Sequence, residues 1–118
     1  MKEGLNLTHL AGYVKDTPVL YKADKSQQPV LRFKLIVPNK IYDGRQKTWK
    51  PVKDLINVAV WGWRGQNLAK LLRTGSHIYV SGPLRYSTFH HKTLKHNVTT
   101  CHVQAEKVLF LGKRPNRY

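Results

Sequence analysis

Acidic side chains are the scarcest resource of this chain, with six Asp and Glu in 118 residues against 21 Lys and Arg. The six acids, Glu3, Asp16, Asp24, Asp43, Asp54 and Glu106, are scattered among turns and strand ends. No two have the spacing that acid–base or two-metal chemistry needs, so the expectation is a protein that is not an enzyme. There is one cysteine, Cys101, which excludes an intramolecular disulfide framework and fits a reducing compartment. It also has no Cys-x-x-Cys partner, and no His-Glu-x-x-His spacing occurs among the six histidines. Neither a metal nor a cofactor is expected. His90, His91, His96 and His102 instead read as parts of a hairpin that gains charge below pH ~6.5. No glycine-rich loop precedes a helix, so a phosphate-cradling nucleotide site is absent from the pattern. Long apolar runs are missing too: nothing approaches 18 residues, and Met1–Leu10 lacks a signal-peptide core. A cytoplasmic protein without a membrane partner is expected.

What is present in excess is positive charge, a formal +15. A surface that repels itself this strongly destabilises the compact state and points to an anionic partner. Nucleic acid fits, because neutralised phosphates release condensed counterions. The aromatic fraction of 10% narrows the class, since unpaired bases offer π-faces that a duplex hides. The 41% hydrophobic content suits a folded domain rather than a disordered basic tail. At this length one core suffices, so a single domain over 1–112 with a loose basic tail at 113–118 is expected.

Along the chain, period-2 alternation dominates and is broken once by helical spacing. Leu5–Val14 reads as a first strand, closed by the turn chemistry of Asp16, Thr17 and Pro18. In the second, Leu31, Phe33, Leu35 and Val37 alternate with Arg32 and Lys34, one face for a core and one outward. Asn39–Thr48, with its Asp43-Gly44 pair, reads as a projecting loop carrying Tyr42, Arg45 and Lys47, with Trp49 at its end. A third strand covers Val52–Trp61. Leu68, Leu71 and Leu72 then fall at i, i+3 and i+4 within Arg64–Thr74, a helix of about three turns with Gly75 as its C-cap. Strand character returns at Ile78–Leu84, where Gly82-Pro83 signals a bulge or bend. His90–Asn97 reads as a polar hairpin tip, and Val98–Leu111 as the last strand. Three strands, a helix and two strands is the order of an all-β OB-fold, a five-stranded Greek-key barrel with one short α-helix between strands 3 and 4.

Parity selects the candidate site. Trp61 points away from Ile56, Val58 and Val60; Arg32 and Lys34 oppose Phe33 and Leu35; Arg85 and Phe89 oppose Leu84. An outward face with Trp61, Phe89, Arg32, Lys34 and Arg85 is a stacking platform edged by phosphate partners. Trp61 would also suit packing under a loop or in a subunit interface. Tyr42, Trp49, Lys92 and Lys95 join the candidates as loop residues. Trp63 fits either packing or nucleic acid, while Tyr79 and Tyr86 read as packed.

Leu55-Ile56-Asn57-Val58-Ala59-Val60-Trp61-Gly62, and the run from Leu68 through Gly75-Ser76-His77-Ile78-Tyr79-Val80-Ser81-Gly82 to Arg85, resemble bacterial single-stranded DNA-binding proteins. Asp16-Thr17-Pro18-Val19-Leu20 and Arg32-Phe33-Lys34-Leu35-Ile36-Val37-Pro38-Asn39 are similar to that family's opening and second strand, so the likeness covers about residues 5 to 112. It implies wrapping of single strands around an OB-fold, in replication, recombination or repair. Trp61 sits where the family has a stacking Phe, Phe89 where it has a stacking Trp, and Tyr42 or a near neighbour in the loop that supplies another. Leu55 stands where Trp is common, so that contact does not carry over. A homo-oligomer is implied, and Ile56 in place of a frequent interface His leaves dimer and tetramer open. The family's acidic tail tip does not carry over either, because Lys113-Arg114-Pro115-Asn116-Arg117-Tyr118 is basic. The tail has been removed, or this is a tail-less relative such as the primosomal replication protein N type. An RNA-binding OB module and an adaptor docking a helicase or another replication protein are the competing functions.

Overall fold

Alternating apolar and polar residues set the strands, and two sharp corners turn those strands into a barrel. The computed structural model describes residues 1–22, 28–91 and 93–112, and for 89–91 the backbone alone. Lys92 and the basic tail 113–118 lie outside the described residues. The elements are β1 (Thr8–Val14), β2 (Val19–Lys22), β3 (Pro29–Asp43), β4 (Thr48–Trp61), α1 (Trp63–Leu68), β5 (His77–Gly82), β6 (Leu84–His91), β7 (His96–Gln104) and β8 (Lys107–Phe110). They form one curled sheet in the order β6-β7-β4-β3-β1-β5-β8, with β2 on the margin of β3. All pairs are antiparallel except β4 with β7, which touch at Val58↔Val103 and Ala59↔Gln104.

Two of the five long strands expected from the alternation are bent in the middle. Pro83 separates β5 from β6, and its missing N–H suits a break in a ladder. Ala105 and Glu106 separate β7 from β8. Each half then pairs with a different neighbour: β5 with β1 and β8, β6 with β7. The corners are fastened to each other, since Gln104 N–H donates to the Pro83 carbonyl at 2.9 Å and Glu106 N–H to that of Ser81 at 2.8 Å. Gly82 allows this approach, because a Cβ there would fall inside contact distance of the Gln104 carbonyl oxygen. The result is the expected OB-type barrel. The short β2 is additional to the expected five strands.

The core lies within the curl. Leu31, Leu35, Val58, Ile78, Val80 and Val103 are buried, joined by Phe33, Val60 and Leu72. Leu68 and Ala69 pack against this cluster. The helix is shorter than its leucine spacing suggests. After Ala69 two three-residue closures appear, Lys70 N–H to Asn67 O and Leu71 N–H to Leu68 O, the tighter winding common at helix ends, before Leu72 N–H closes a last four-residue bond to Leu68 O. Gly75, at φ 88°, ends the following turn rather than capping α1 directly. No described helix is long and apolar enough to cross a membrane.

Both expected loops are narrower than their polar stretches, the flanking residues being strand. β3 and β4 pair in register from Val30↔Trp61 out to Asp43↔Thr48, and β6 and β7 from Leu84↔Val103 to His91↔His96. Polar composition suggested loops, but backbone pairing needs no apolar side chains once a register is fixed.

Candidate nucleic-acid interface

On β3, Leu31, Phe33 and Leu35 are buried while Arg32 and Lys34 are exposed, as alternation demands. On β4, Val58 and Val60 face the core; Leu55, Asn57, Ala59 and Trp61 have the opposite parity. The β3–β4 register sets Arg32 beside Ala59 and Lys34 beside Asn57. Ala59 in turn neighbours Gln104 of β7, and His102 lies opposite Arg85 of β6. The four strands therefore present one outward face.

That face is creased by two grooves. The first, about 330 Å³, has Arg32, Lys34, Asn57 and Ala59 among its lining. Thr17, Val19 and Tyr21 bound it on the β2 side, and Thr100, Cys101 and His102 on the β7 side. Asn57 spans toward the β7 side, its Nδ2 donating to the Cys101 carbonyl at 3.3 Å. The second groove, about 400 Å³, is lined by Trp61, Arg85, Ser87, His102 and Gln104, with Gln28 and Tyr86. His102 borders both. Partial burial pushes its imidazole below the usual histidine range, and the charges of Arg32 and Arg85 push the same way. At neutral pH the ring is therefore uncharged, between two guanidinium groups.

Tyr42 and Trp49 are strand residues, not loop residues. They face each other across the β3–β4 arm with ring centroids 5.5 Å apart in an edge-on contact. Their parity matches Arg32 and Trp61, so the arm extends the groove face outward. The arm's turn is built by Asp43, whose Oδ1 accepts from Arg45 N–H at 2.9 Å and whose Oδ2 meets Lys50 Nζ at 2.9 Å. Those partners, the Lys50 ammonium above all, hold the Asp43 carboxyl below its ordinary value.

Of the other candidates, Phe89 takes the β6 backbone position opposite Val98. Lys95 is exposed in the β6–β7 turn at φ 55°. Lys92 is outside the described residues. Trp63 is exposed and lines neither groove. Tyr86, expected to be packed, is 69% exposed. Among the described residues no three His, Cys, Asp or Glu side chains converge as metal ligands.

A barrel of this topology with a grooved, basic and aromatic outer face matches one sequence family across its length: the model of the single-strand binding protein family aligns with residues 5–111. The chain belongs to that family.

No curated protein matches the sequence. Among solved structures, the chain is similar to a Plasmodium falciparum SSB in complex with ssDNA, with a TM-score of 0.82, 21% identity, and coverage of 95% of this chain and 99% of that one. It is also similar to a small single-stranded DNA-binding protein from Streptomyces coelicolor, with a TM-score of 0.65, 22% identity, and coverage of 93% and 95%. At those identities the likeness is one of fold. The SSB grooves of this chain also recruit residues that sequence reasoning passed over. His102 reads with the hairpin histidines in the sequence, yet it stands within β7 beside the buried Val103, toward the barrel end of the strand rather than at the hairpin tip. Parity along Thr100, His102 and Gln104 was the available signal. Asn57 had the parity of Trp61 but no charge or ring to mark it.

Proposed function

We propose that this chain binds single-stranded DNA without strong sequence preference and does no chemistry on it. Bases stack on Trp61, with Tyr42 and Trp49 on the arm and Phe89 on β6 as further platforms. Arg32, Lys34 and Arg85 take phosphates, and Lys92 and Lys95 add charge at the β6–β7 hairpin. The observation that carries this reading is the shared groove of Trp61 and Arg85, joined through His102 to the groove of Arg32 and Lys34. An aromatic face beside cations is what an unpaired polynucleotide requires. The complex of the Plasmodium falciparum SSB with ssDNA supports the same ligand class.

A homo-oligomer and a place in replication, recombination or repair belong to this proposal. The outward side of β1, β5 and β8 supports self-association, since Tyr13, Leu109 and Leu111 are exposed there. Tyr13 stacks on His77 at 4.5 Å, and Tyr79 OH pairs with His9 Nδ1 at 2.6 Å, so the ring ladder is preorganised.

The test is intrinsic tryptophan fluorescence against a dT length series, a duplex of equal length and an rU series, at two salt concentrations. Quenching by dT, weak duplex binding and a log–log salt slope near −0.7 per phosphate neutralised are expected. Equal affinity for duplex overturns the reading; clear preference for rU transfers it to RNA, where the 2′-hydroxyl is recognised. Sedimentation of the same samples reports the oligomer.

A further inference from the structure

The two grooves meet at a single side chain, and the groups around it do not balance in charge. His102 borders both grooves. Arg85 stands opposite it on β6, and Arg32 and Lys34 approach from β3. The remaining titratable residues in the described lining of the grooves are its chain neighbour Cys101, Tyr21 of β2, Asp16 before β2 and Tyr86 of β6. Asp16 is the one anion among the described lining residues, and its carboxylate lies 3.9 Å from the Lys15 ammonium. β4 contributes Asn57, Val58, Ala59 and Trp61 to the lining, none of which titrates. The spot is thus cationic from two sides, half-buried, and on the route between the arm-side groove and Trp61.

We propose that Arg32, His102 and Arg85 form a phosphate site at the groove junction, where a bound single strand crosses from one groove into the other, and that His102 takes up a proton as a phosphodiester settles there. This rests on the ssDNA-binding reading above. In the free protein, burial and the two guanidinium groups disfavour imidazolium. A phosphodiester placed between those cations reverses the local field, so the bound-state pKa of His102 exceeds the free-state value. Binding then consumes a proton, and affinity rises as pH falls through the histidine range. The phosphodiester stays ionised throughout that window. The gain can reach about tenfold for each unit by which the phosphate raises the His102 pKa.

Five other histidines, His9, His77, His90, His91 and His96, add a background, so the decisive quantity is a difference between proteins. Affinity for an oligothymidylate long enough to span both grooves is measured at pH 8.0 and at pH 5.5 for the wild type and for His102→Gln. A larger gain in affinity between pH 8.0 and pH 5.5 is expected in the wild type than in the variant, whatever the variant's affinity at pH 8.0. An identical ratio in both overturns the phosphate site while leaving strand binding intact. The imidazole resonance of His102 is titrated in parallel, with and without the oligothymidylate. A raised pKa in the complex supports the proposal, and an unmoved or lowered one overturns it without reference to any variant. Failure of the wild type to bind the oligothymidylate at either pH overturns the ssDNA reading and this inference with it.

Discussion

Trp61 and Trp63 are two residues apart and answer different questions. Trp61 is half-buried and borders a groove with Arg85; Trp63 is 70% exposed on α1 and borders neither groove. Loss of a base–aromatic stack costs roughly 1–3 kcal/mol, so Trp61→Ala should weaken dT binding by about 5- to 150-fold. Trp63→Ala should leave it within about twofold, and fluorescence titration of both variants separates local stacking from a general effect of tryptophan loss. Gly82 is a second single-residue test, this time of stability. A methyl group there meets the backbone carbonyl of Gln104, which is held by both barrel corners and cannot give way like a side-chain tip. Gly82→Ala should destabilise by about 1–3 kcal/mol, the usual range for overpacking, read from the midpoint of urea unfolding. At this scale the sequence was informative wherever one period governed a strand. Arg32, Lys34 and Trp61 were placed outward correctly because each alternates with a core residue on a strand whose other face is buried.

At the scale of elements, the β3–β4 arm shows where composition misleads. Asn39–Thr48 is polar and carries a turn signal, yet only the four residues between Asp43 and Thr48 leave the ladder. A two-stranded arm beyond the barrel has no buried face, so the apolar half of the alternation disappears and the strand loses its signature. The helix misleads in the opposite sense, since Leu71 and Leu72 keep the spacing while the backbone tightens after Ala69. The arm's turn rests on Asp43, whose carboxyl is held below its ordinary value first by Lys50, then by the N–H groups of Arg45 and Gln46. The native value lies below the unfolded one, so the contribution is present above about pH 4 and fades as pH falls through the native value. Amide exchange at the arm tip should accelerate in that acidic range relative to the barrel strands, and Asp43→Ala should show the faster exchange already at neutral pH. A tip as protected in the variant as in the wild type would show that the turn is held by other means.

For the whole molecule, the barrel was legible because five alternating stretches and one helical one occur in a fixed order. The bends at Pro83 and Ala105–Glu106 were only partly so: Gly82-Pro83 announced the first, while nothing in Gln104-Ala105-Glu106 announces the second. That corner is imposed by its partners, Ala59, Ser81 and Pro83, whose carbonyls take its N–H groups. The net charge acts at this scale as well. A formal +15 on one barrel opposes compaction, and salt screens that repulsion over a Debye length of about 10 Å at 0.1 M. Added sodium chloride should therefore raise the melting temperature of the free protein while lowering its affinity for dT, responses of opposite sign from one cause. Calorimetry across a salt series checks this, and a melting temperature that falls with salt would contradict it.

The arm's registration with the barrel has a consequence for how its length can vary. Tyr42 and Trp49 share a face with Arg32 and Trp61 only because an even number of residues separates them along each strand. Inserting one residue into both strands midway would keep the hairpin paired yet turn its tip aromatics to the opposite side. Insertions or deletions of two in each strand preserve the face and change the reach by roughly 7 Å at 3.3–3.4 Å per residue. Viable length variants of this arm should thus come in steps of two.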